Sequence, residues 1–248
     1  MKAMILAAGF GTRLKPLTND IPKALVEINK TPLLELIIHK LKHYGFENII
    51  INVHHFADKI IDFLKSNDNF GINIAISDER NLLLDTGGGI KKASWFFDND
   101  QPFLIHNVDI ISEINLKELY EYNLETQASI TLAVNKRESD RYLLFDEESY
   151  LCAWENVITK EKKIVNRENE DSRQQKTERF GYCGIKVMHS KVFKYFPDEN
   201  IFSIIDFYLK VASKEKVNCF FKENLFWQDV GTLGQLKETE RHLRNSSY

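Results

Sequence analysis

Cysteine is scarce in this 248-residue chain: Cys152, Cys183 and Cys219 are widely spaced, with no Cys-x-x-Cys pair. That leaves little support for a disulfide scaffold or a zinc cluster and predicts three buried thiols in a reducing compartment. No apolar run approaches the roughly 20 residues that a membrane span needs. The opening Met1-Lys2-Ala3-Met4-Ile5-Leu6-Ala7-Ala8 is too short for a signal-peptide core, because Gly9 and Arg13 follow at once. The chain is therefore expected to be cytoplasmic, with no membrane partner. Positive charge is not in excess either: 33 Lys and Arg face 36 Asp and Glu, a net charge of −3. A nucleic-acid footprint would need clustered basic residues, so small molecules are the expected partners.

What is present is an alternation of apolar strands and amphipathic helices. Lys2 to Ala7 reads as a buried first strand. Thr31-Pro32 reads as a helix start, threonine as cap and proline at the first position, with Leu33, Leu36, Ile37, Leu41 and Tyr44 on one side and Gly45 closing it. Strands are expected at 48–53, 73–77 and 102–107, helices at 57–65, at about 90–97 after Thr86-Gly87-Gly88-Gly89, and at 116–124. Further on, 128–134, 184–188, 217–221 and 226–230 read as strands, and 201–212 and 233–243 as helices. Residues 137–179 are rich in charge and amides, and 160–179 reads as the least structured stretch. Strands alternating with helices of this length imply βαβ units with right-handed crossovers. The expected fold is a three-layer α/β/α sandwich around a mixed, mostly parallel, doubly wound sheet. One domain over 1–248 is expected, with a loop-rich segment at about 137–180. Ligands of such sheets bind beyond the carboxyl ends of the strands, where the Gly9 loop, the Gly87 loop and Asp109 would lie.

The densest chemical signal is Leu6-Ala7-Ala8-Gly9-Phe10-Gly11-Thr12-Arg13-Leu14-Lys15-Pro16-Leu17-Thr18, followed by Pro22-Lys23. Small residues let the backbone approach a phosphate chain, and exposed N–H groups in a turn form an anion nest. Arg13 and Lys23 add fixed positive charge, the arginine suited to bidentate phosphate contacts. Rival readings fail on spacing. A dinucleotide fingerprint needs glycine at 14, where Leu14 stands, and neither a Walker A loop nor a Gly-x-Ser-x-Gly elbow is present. His54-His55 with His106 matches no metal-ligand spacing, so hydrogen-bonded strand-end histidines are expected. Trp154, Phe180 and Tyr182 are expected to pack in the core rather than stack on a ligand.

Gly-x-Gly-Thr-Arg-x-x-Pro-x-Thr followed by Pro-Lys resembles the signature of the sugar 1-phosphate nucleotidyltransferases. Leu84-Asp85-Thr86-Gly87-Gly88-Gly89-Ile90 resembles the second loop of their short guanylyl and muramate types, and Trp227-Gln228-Asp229-Val230-Gly231-Thr232 resembles their closing Trp-x-Asp-x-Gly-Thr. The resemblance implies an enzyme that joins an NTP to a sugar 1-phosphate and releases pyrophosphate. It implies Mg²⁺ held by Asp109 and Asp229, catalytic roles for Arg13, Lys23 and Asp109, and nucleotide contacts from Leu6, Ala7, Ala8, Gly9, Gly11, Thr12, Arg13, Lys23, Glu79, Gly87 and Gly88. Sugar contacts are implied for Asn107, Glu155, Gly181 and Gly184. UTP with N-acetylmuramate or N-acetylhexosamine 1-phosphate is the favoured pair. GTP with mannose 1-phosphate is the alternative, and a non-catalytic module sensing nucleotide sugars is the rival from another class. Two departures stand out. Valine occupies the second place of Asn107-Val108-Asp109, where many members have glycine or serine before the aspartate. Glu155-Asn156-Val157 stands where many members have Glu-Lys-Pro, so the lysine that meets the sugar phosphate there is either missing or supplied from the 160–179 loop.

Overall fold

A computed structural model of the chain describes residues 1–97, 100–166 and 176–245. The strands are β1 (Lys2–Leu6), β2 (Glu27–Ile28), β3 (Thr31–Pro32), β4 (Asn48–Val53), β5 (Asn73–Asp78), β6 (Pro102–Asn107), β7 (Ile110–Ser112), β8 (Ile130–Asn135), β9 (Arg141–Phe145), β10 (Leu151–Asn156), β11 (Glu161–Ile164), β12 (Glu178–His189), β13 (Val217–Phe221) and β14 (Trp227–Asp229). The helices are α1 (Leu33–His43), α2 (Ala57–Ser66), α3 (Asp85–Ala93), α4 (Leu116–Thr126), α5 (Ile204–Ala212) and α6 (Leu233–Asn245). The chain divides into two compact units, one of residues 1–83, 105–116 and 225–248, the other of 84–104 and 117–224.

The first unit carries the parallel part of the fold. β1 pairs with β4 and β4 with β5, all parallel, and β6 lies beside β1. Ile49-Ile50-Ile51 of β4 and Ala3-Met4-Ile5 of β1 are fully buried, as short apolar strands of a parallel sheet should be. α1 buries Leu33, Leu34, Ile37, Ile38 and Leu41, a stripe at helical spacing. Gly45, at φ +82°, ends it in the left-handed conformation that glycine takes at least cost, and the Phe46 N–H returns to the Leu41 carbonyl at 3.0 Å. Thr31-Pro32, expected as cap and first turn, instead forms β3 against β2, and no side chain caps α1. The proline lacks an N–H, but a two-residue edge pairing tolerates that loss.

The second unit carries the antiparallel part, which makes the α/β sheet mixed. β10 pairs antiparallel with β9 and β11, β9 with β12, and β12 with β8, while β13 runs parallel to β8. β12 is much longer than the expected 184–188, and its register slips between Tyr182 and Lys186. Gly184, at φ +74°, supplies the residue that such a bulge demands. Within 160–179, expected to be the least ordered, Glu161–Ile164 forms β11 and Glu178-Arg179 opens β12; residues 167–175 lie outside the described residues. α3 begins at Asp85 rather than near Ile90, so all three glycines are helical and buried. A Cβ on Gly88 would overlap the Asn200 carbonyl oxygen, and one on Gly87 would overlap Phe202. Their place in the sequence reads as a loop because glycine disfavours helix, yet close packing against 200–202 overrides propensity.

Candidate active site

The loop after β1 is built by short-range constraints. Gly11 sits at φ +65° and accepts from the Leu14 N–H at 2.9 Å and the Thr18 hydroxyl at 2.8 Å. A Cβ there would come within 2.9 Å of Lys23 Cβ, so Gly11 lets the Lys23 stem pass against the loop. Gly9 has nothing within 4 Å of its Cβ position, so it faces open space. At the start of the loop the Ala7 N–H donates to Asn52 Oδ1 at 2.7 Å, and Asn52 Nδ2 donates to Glu79 Oε1 at 2.8 Å. Both side chains are buried, so this relay ties the phosphate-type loop to β4 and to the end of β5. Glu79 therefore holds the loop through Asn52, and its carbonyl meets His54 Nδ1 at 2.7 Å. Asn52 escaped sequence reasoning; the only signal was one amide in Ile49-Ile50-Ile51-Asn52-Val53.

The two aspartates are brought together by main-chain pairing. β7 begins directly after Asp109 and pairs antiparallel with β14, with Ile110 opposite Asp229. The Val230 N–H donates to the Asp109 carbonyl at 2.8 Å, and the Val108 N–H to the Leu6 carbonyl at 3.1 Å. These bonds lock Asp109 and Asp229 to each other and to the end of β1. Lys40 of α1 braces β7, donating to the Ser112 carbonyl and, at 3.1 Å, to its hydroxyl. Burial lowers its pKa to about 8, with Glu113 acting in the opposite direction. α6 starts with a capping arrangement in which Gln235 Oε1 accepts from the Gly231 N–H at 3.2 Å and the Thr232 hydroxyl at 3.0 Å.

Two cations meet the carboxylates. Lys23 Nζ forms a close ion pair with Asp109 Oδ2 and lies 4.0 Å from Asp229 Oδ1. Arg13 Nη2 is 3.7 Å from Asp229 Oδ2, and a Cβ on Gly231 would come within 2.7 Å of that nitrogen. Gly231 therefore makes room for the guanidinium. The Asp229 carboxyl is pushed above its ordinary pKa, first by desolvation and then by the Asp109 charge, with Lys23 and Arg13 pulling the other way. Asp229 Oδ1 and Asn107 Oδ1 are buried with no hydrogen-bond partner among the described residues. A buried carboxylate oxygen without a hydrogen bond, beside a second carboxylate, is a site with unused capacity for a cation. No group of three or more His, Cys, Asp or Glu side chains capable of holding a metal occurs among the described residues. The arrangement thus fits a hard divalent ion that takes two carboxylates and completes its shell with phosphate oxygens and water.

The sequence-derived residues divide between the units. Leu6 to Arg13, Lys23, Glu79, Asn107, Asp109 and Asp229 belong to the first; Gly87, Gly88, Glu155, Gly181 and Gly184 belong to the second. In the second unit Glu155 is buried and its Oε1 meets Arg179 Nε. Phe180 packs on Phe145 and Phe221, and Tyr182 lies edge-on to Tyr208, the packing role expected of them. His54 and His55 pack against Phe10.

Residues 2–246 match the nucleotidyl transferase family. The chain is 31% identical over 236 residues to D-glycero-alpha-D-manno-heptose 1-phosphate guanylyltransferase of Campylobacter jejuni, covering 93% of this chain and 95% of that protein. Over 111 residues it is 44% identical to N-acetylmuramate alpha-1-phosphate uridylyltransferase of Caulobacter vibrioides, covering 44% of this chain and 46% of the other. Against three of its curated relatives the chain spans between 36% and 52% of their length. The crystal structure of HddC from Yersinia pseudotuberculosis superposes with a TM-score of 0.75 at 24% identity, over 98% of this chain and 99% of that one, a likeness of fold. No helix among the described residues is long and apolar enough to cross a membrane. Matched to it over residues 2–246, this chain belongs to the nucleotidyl transferase family.

Proposed function

We propose that the protein transfers a nucleoside monophosphate from an NTP to a sugar 1-phosphate and releases pyrophosphate. The observation that carries this reading is the convergence of Arg13, Lys23, Asp109 and Asp229, with one buried Asp229 oxygen lacking a hydrogen-bond partner. In the reaction an oxygen of the sugar 1-phosphate attacks the α-phosphorus of the NTP. One P–O bond forms there, the bond to the β-phosphate's bridging oxygen breaks, and pyrophosphate leaves. Both reactants are anionic, so charge neutralisation and in-line positioning dominate the barrier. The N–H groups of the Gly9–Thr12 loop cradle the triphosphate. Arg13, exposed beside Asp229, takes up charge on the phosphates as it develops, and Lys23 leaves its ion pair with Asp109 for a phosphate oxygen. Asp109 and Asp229 would hold Mg²⁺, which bound there supplies electrostatic stabilisation of the phosphate oxygens.

For the substrates we favour UTP with N-acetylmuramate or an N-acetylhexosamine 1-phosphate. The support is the 44% identity to a protein named for that activity. A second reading, GTP with a mannose-type sugar 1-phosphate, is supported by coverage, since the guanylyl relative extends over 93% of the chain. Pyrophosphate release measured for each NTP against muramate, hexosamine, glucose, mannose and heptose 1-phosphates separates the two. Turnover only with GTP overturns the favoured pair. No turnover with any combination, alongside measurable binding of a nucleotide sugar, supports the sensing module instead.

A further inference from the structure

The glycine loop needs an anchor that its glycines do not supply. Gly9 has nothing within 4 Å of its Cβ position, and Gly11 takes φ +65°. Glycine loses more freedom on ordering than any other residue, yet the N–H groups of this loop must stand still to serve as an anion nest. The side chain between the two glycines is Phe10, an apolar ring that keeps 45% exposure.

Its partners come from the corner where β4 passes into α2. The Phe10 ring lies edge-on to His54, with centroids 5.3 Å apart and planes at 89°, and tilted against His55 at 5.5 Å. Both separations fall in the range at which aromatic rings attract. The histidines are themselves held. His54 Nδ1 lies 2.7 Å from the Glu79 carbonyl; a carbonyl oxygen only accepts, so Nδ1 carries the proton. His55 packs on Phe56 at 3.9 Å, and Phe56 takes φ +54°, uncommon for a bulky residue, as the chain turns into the helix. The same corner grips the loop on either side of Phe10. Asn52 accepts from the Ala7 N–H at 2.7 Å. Lys59, whose ammonium lies 5.1 Å from the Phe56 ring centroid, donates to the Asp20 carbonyl. Residues 52–59 thus hold the segment 7–20 at its root, at Phe10 and at its far arm, and all of them belong to the first unit.

We propose that Phe10 is a positioning residue: clasped by His54 and His55, it fixes the N–H groups of residues 9–12 in the arrangement that receives the NTP phosphates. It acts on the loop backbone and not on the nucleotide itself. The ligand it serves, a nucleoside triphosphate, rests on the transfer reaction proposed above. The His54-His55 pair thereby has a task other than holding a metal.

Calorimetric titration of the full chain with UTP and with GTP, each with Mg²⁺, tests this alongside steady-state kinetics with whichever pair the panel shows to be turned over. Phe10→Ala weakens affinity for the NTP that the wild type binds by about three- to tenfold, the scale of one aromatic contact, because binding must then order the loop. KM for the NTP rises in step, while kcat and KM for the sugar 1-phosphate stay within about twofold. Phe10→Tyr keeps the ring and restores the affinity. His55→Ala reproduces part of the loss, and combined with Phe10→Ala it costs no more than Phe10→Ala alone, as for residues that act as one unit. Phe10 sits half-exposed on a loop, so its truncation leaves the core intact. Wild-type affinity in Phe10→Ala overturns the assignment, even where the melting temperature falls. Fully additive losses in the double variant also overturn it, since Phe10 would then act without the histidine. A wild type that binds an NTP but turns over no pair refutes the transfer reaction, and the affinities alone then decide for or against the clasp. A wild type that binds neither UTP nor GTP refutes both.

Discussion

Replacing Lys186 by methionine should stabilise the protein at neutral pH, and the gain should shrink as the pH rises. Lys186 lies in β12 with no solvent exposure. Its Nζ has the Tyr182 hydroxyl at 3.2 Å and the rings of Tyr182 and Tyr208 at 5.7 and 5.9 Å, and no carboxylate pairs with it among the described residues. Burial lowers its pKa from 10.5 to about 7. Between these two values the unfolded chain binds the proton that the folded chain does not, so unfolding free energy rises with pH. Below about pH 7 both states are protonated and the full cost of burying the charge is present. At about 1.4 kcal/mol per unit, the window from pH 6 to pH 9 is worth about 2–3 kcal/mol. Methionine fills a similar volume and carries no proton, though it forgoes a hydrogen bond worth about 1 kcal/mol. Urea unfolding of both proteins at pH 6, 7, 8 and 9 reads the effect as a difference, which cancels the titration of distant groups such as Lys40. The methionine variant should be the more stable at pH 6, with the two curves converging by about 2–3 kcal/mol by pH 9. Curves that stay parallel across this range would refute the claim that Lys186 is buried without a compensating charge.

Two further substitutions probe glycines that the packing requires. Gly88→Ala gains about 1 kcal/mol of helix propensity, but its Cβ meets the Asn200 carbonyl rather than a flexible side chain. A net loss of about 2 kcal/mol or more is expected from overpacking, read as a lower melting temperature; a rise would show that segment 200–202 yields freely. Gly231→Ala puts a Cβ within 2.7 Å of Arg13 Nη2 and 2.9 Å of Asp229 Oδ1. Turnover should fall by about tenfold or more, as when one transition-state contact is lost, with the melting temperature nearly unchanged; full activity would remove Arg13 from the mechanism.

The glycine loop was legible in the sequence because its chemistry is local: consecutive small residues, Thr12, Arg13 and Lys23 all fall within 23 positions of the start. The strand-end aspartates were legible through the motifs that flank them, although the β7–β14 pairing that joins them was not. Three failures have physical causes. The glycines of α3 weigh against helix by propensity, and only contacts with a segment more than 100 residues away make them helical. β11, Glu161-Lys162-Lys163-Ile164, is charged and mostly exposed, so it carries no apolar alternation to detect. Asn52 is a single amide in an apolar strand, and its use as a relay to Ala7 and Glu79 depends on partners 45 and 27 residues away.

The central claim is that Asp109 and Asp229 act on one divalent ion beside Arg13 and Lys23. Mn²⁺ binding in the presence of the NTP, followed by electron paramagnetic resonance together with pyrophosphate release, tests it most directly. Asp109→Asn and Asp229→Asn should each weaken Mn²⁺ binding and cut turnover by at least about a hundredfold, the scale of losing one preorganised charge contact. Near-wild-type binding and turnover in either folded variant would contradict the claim.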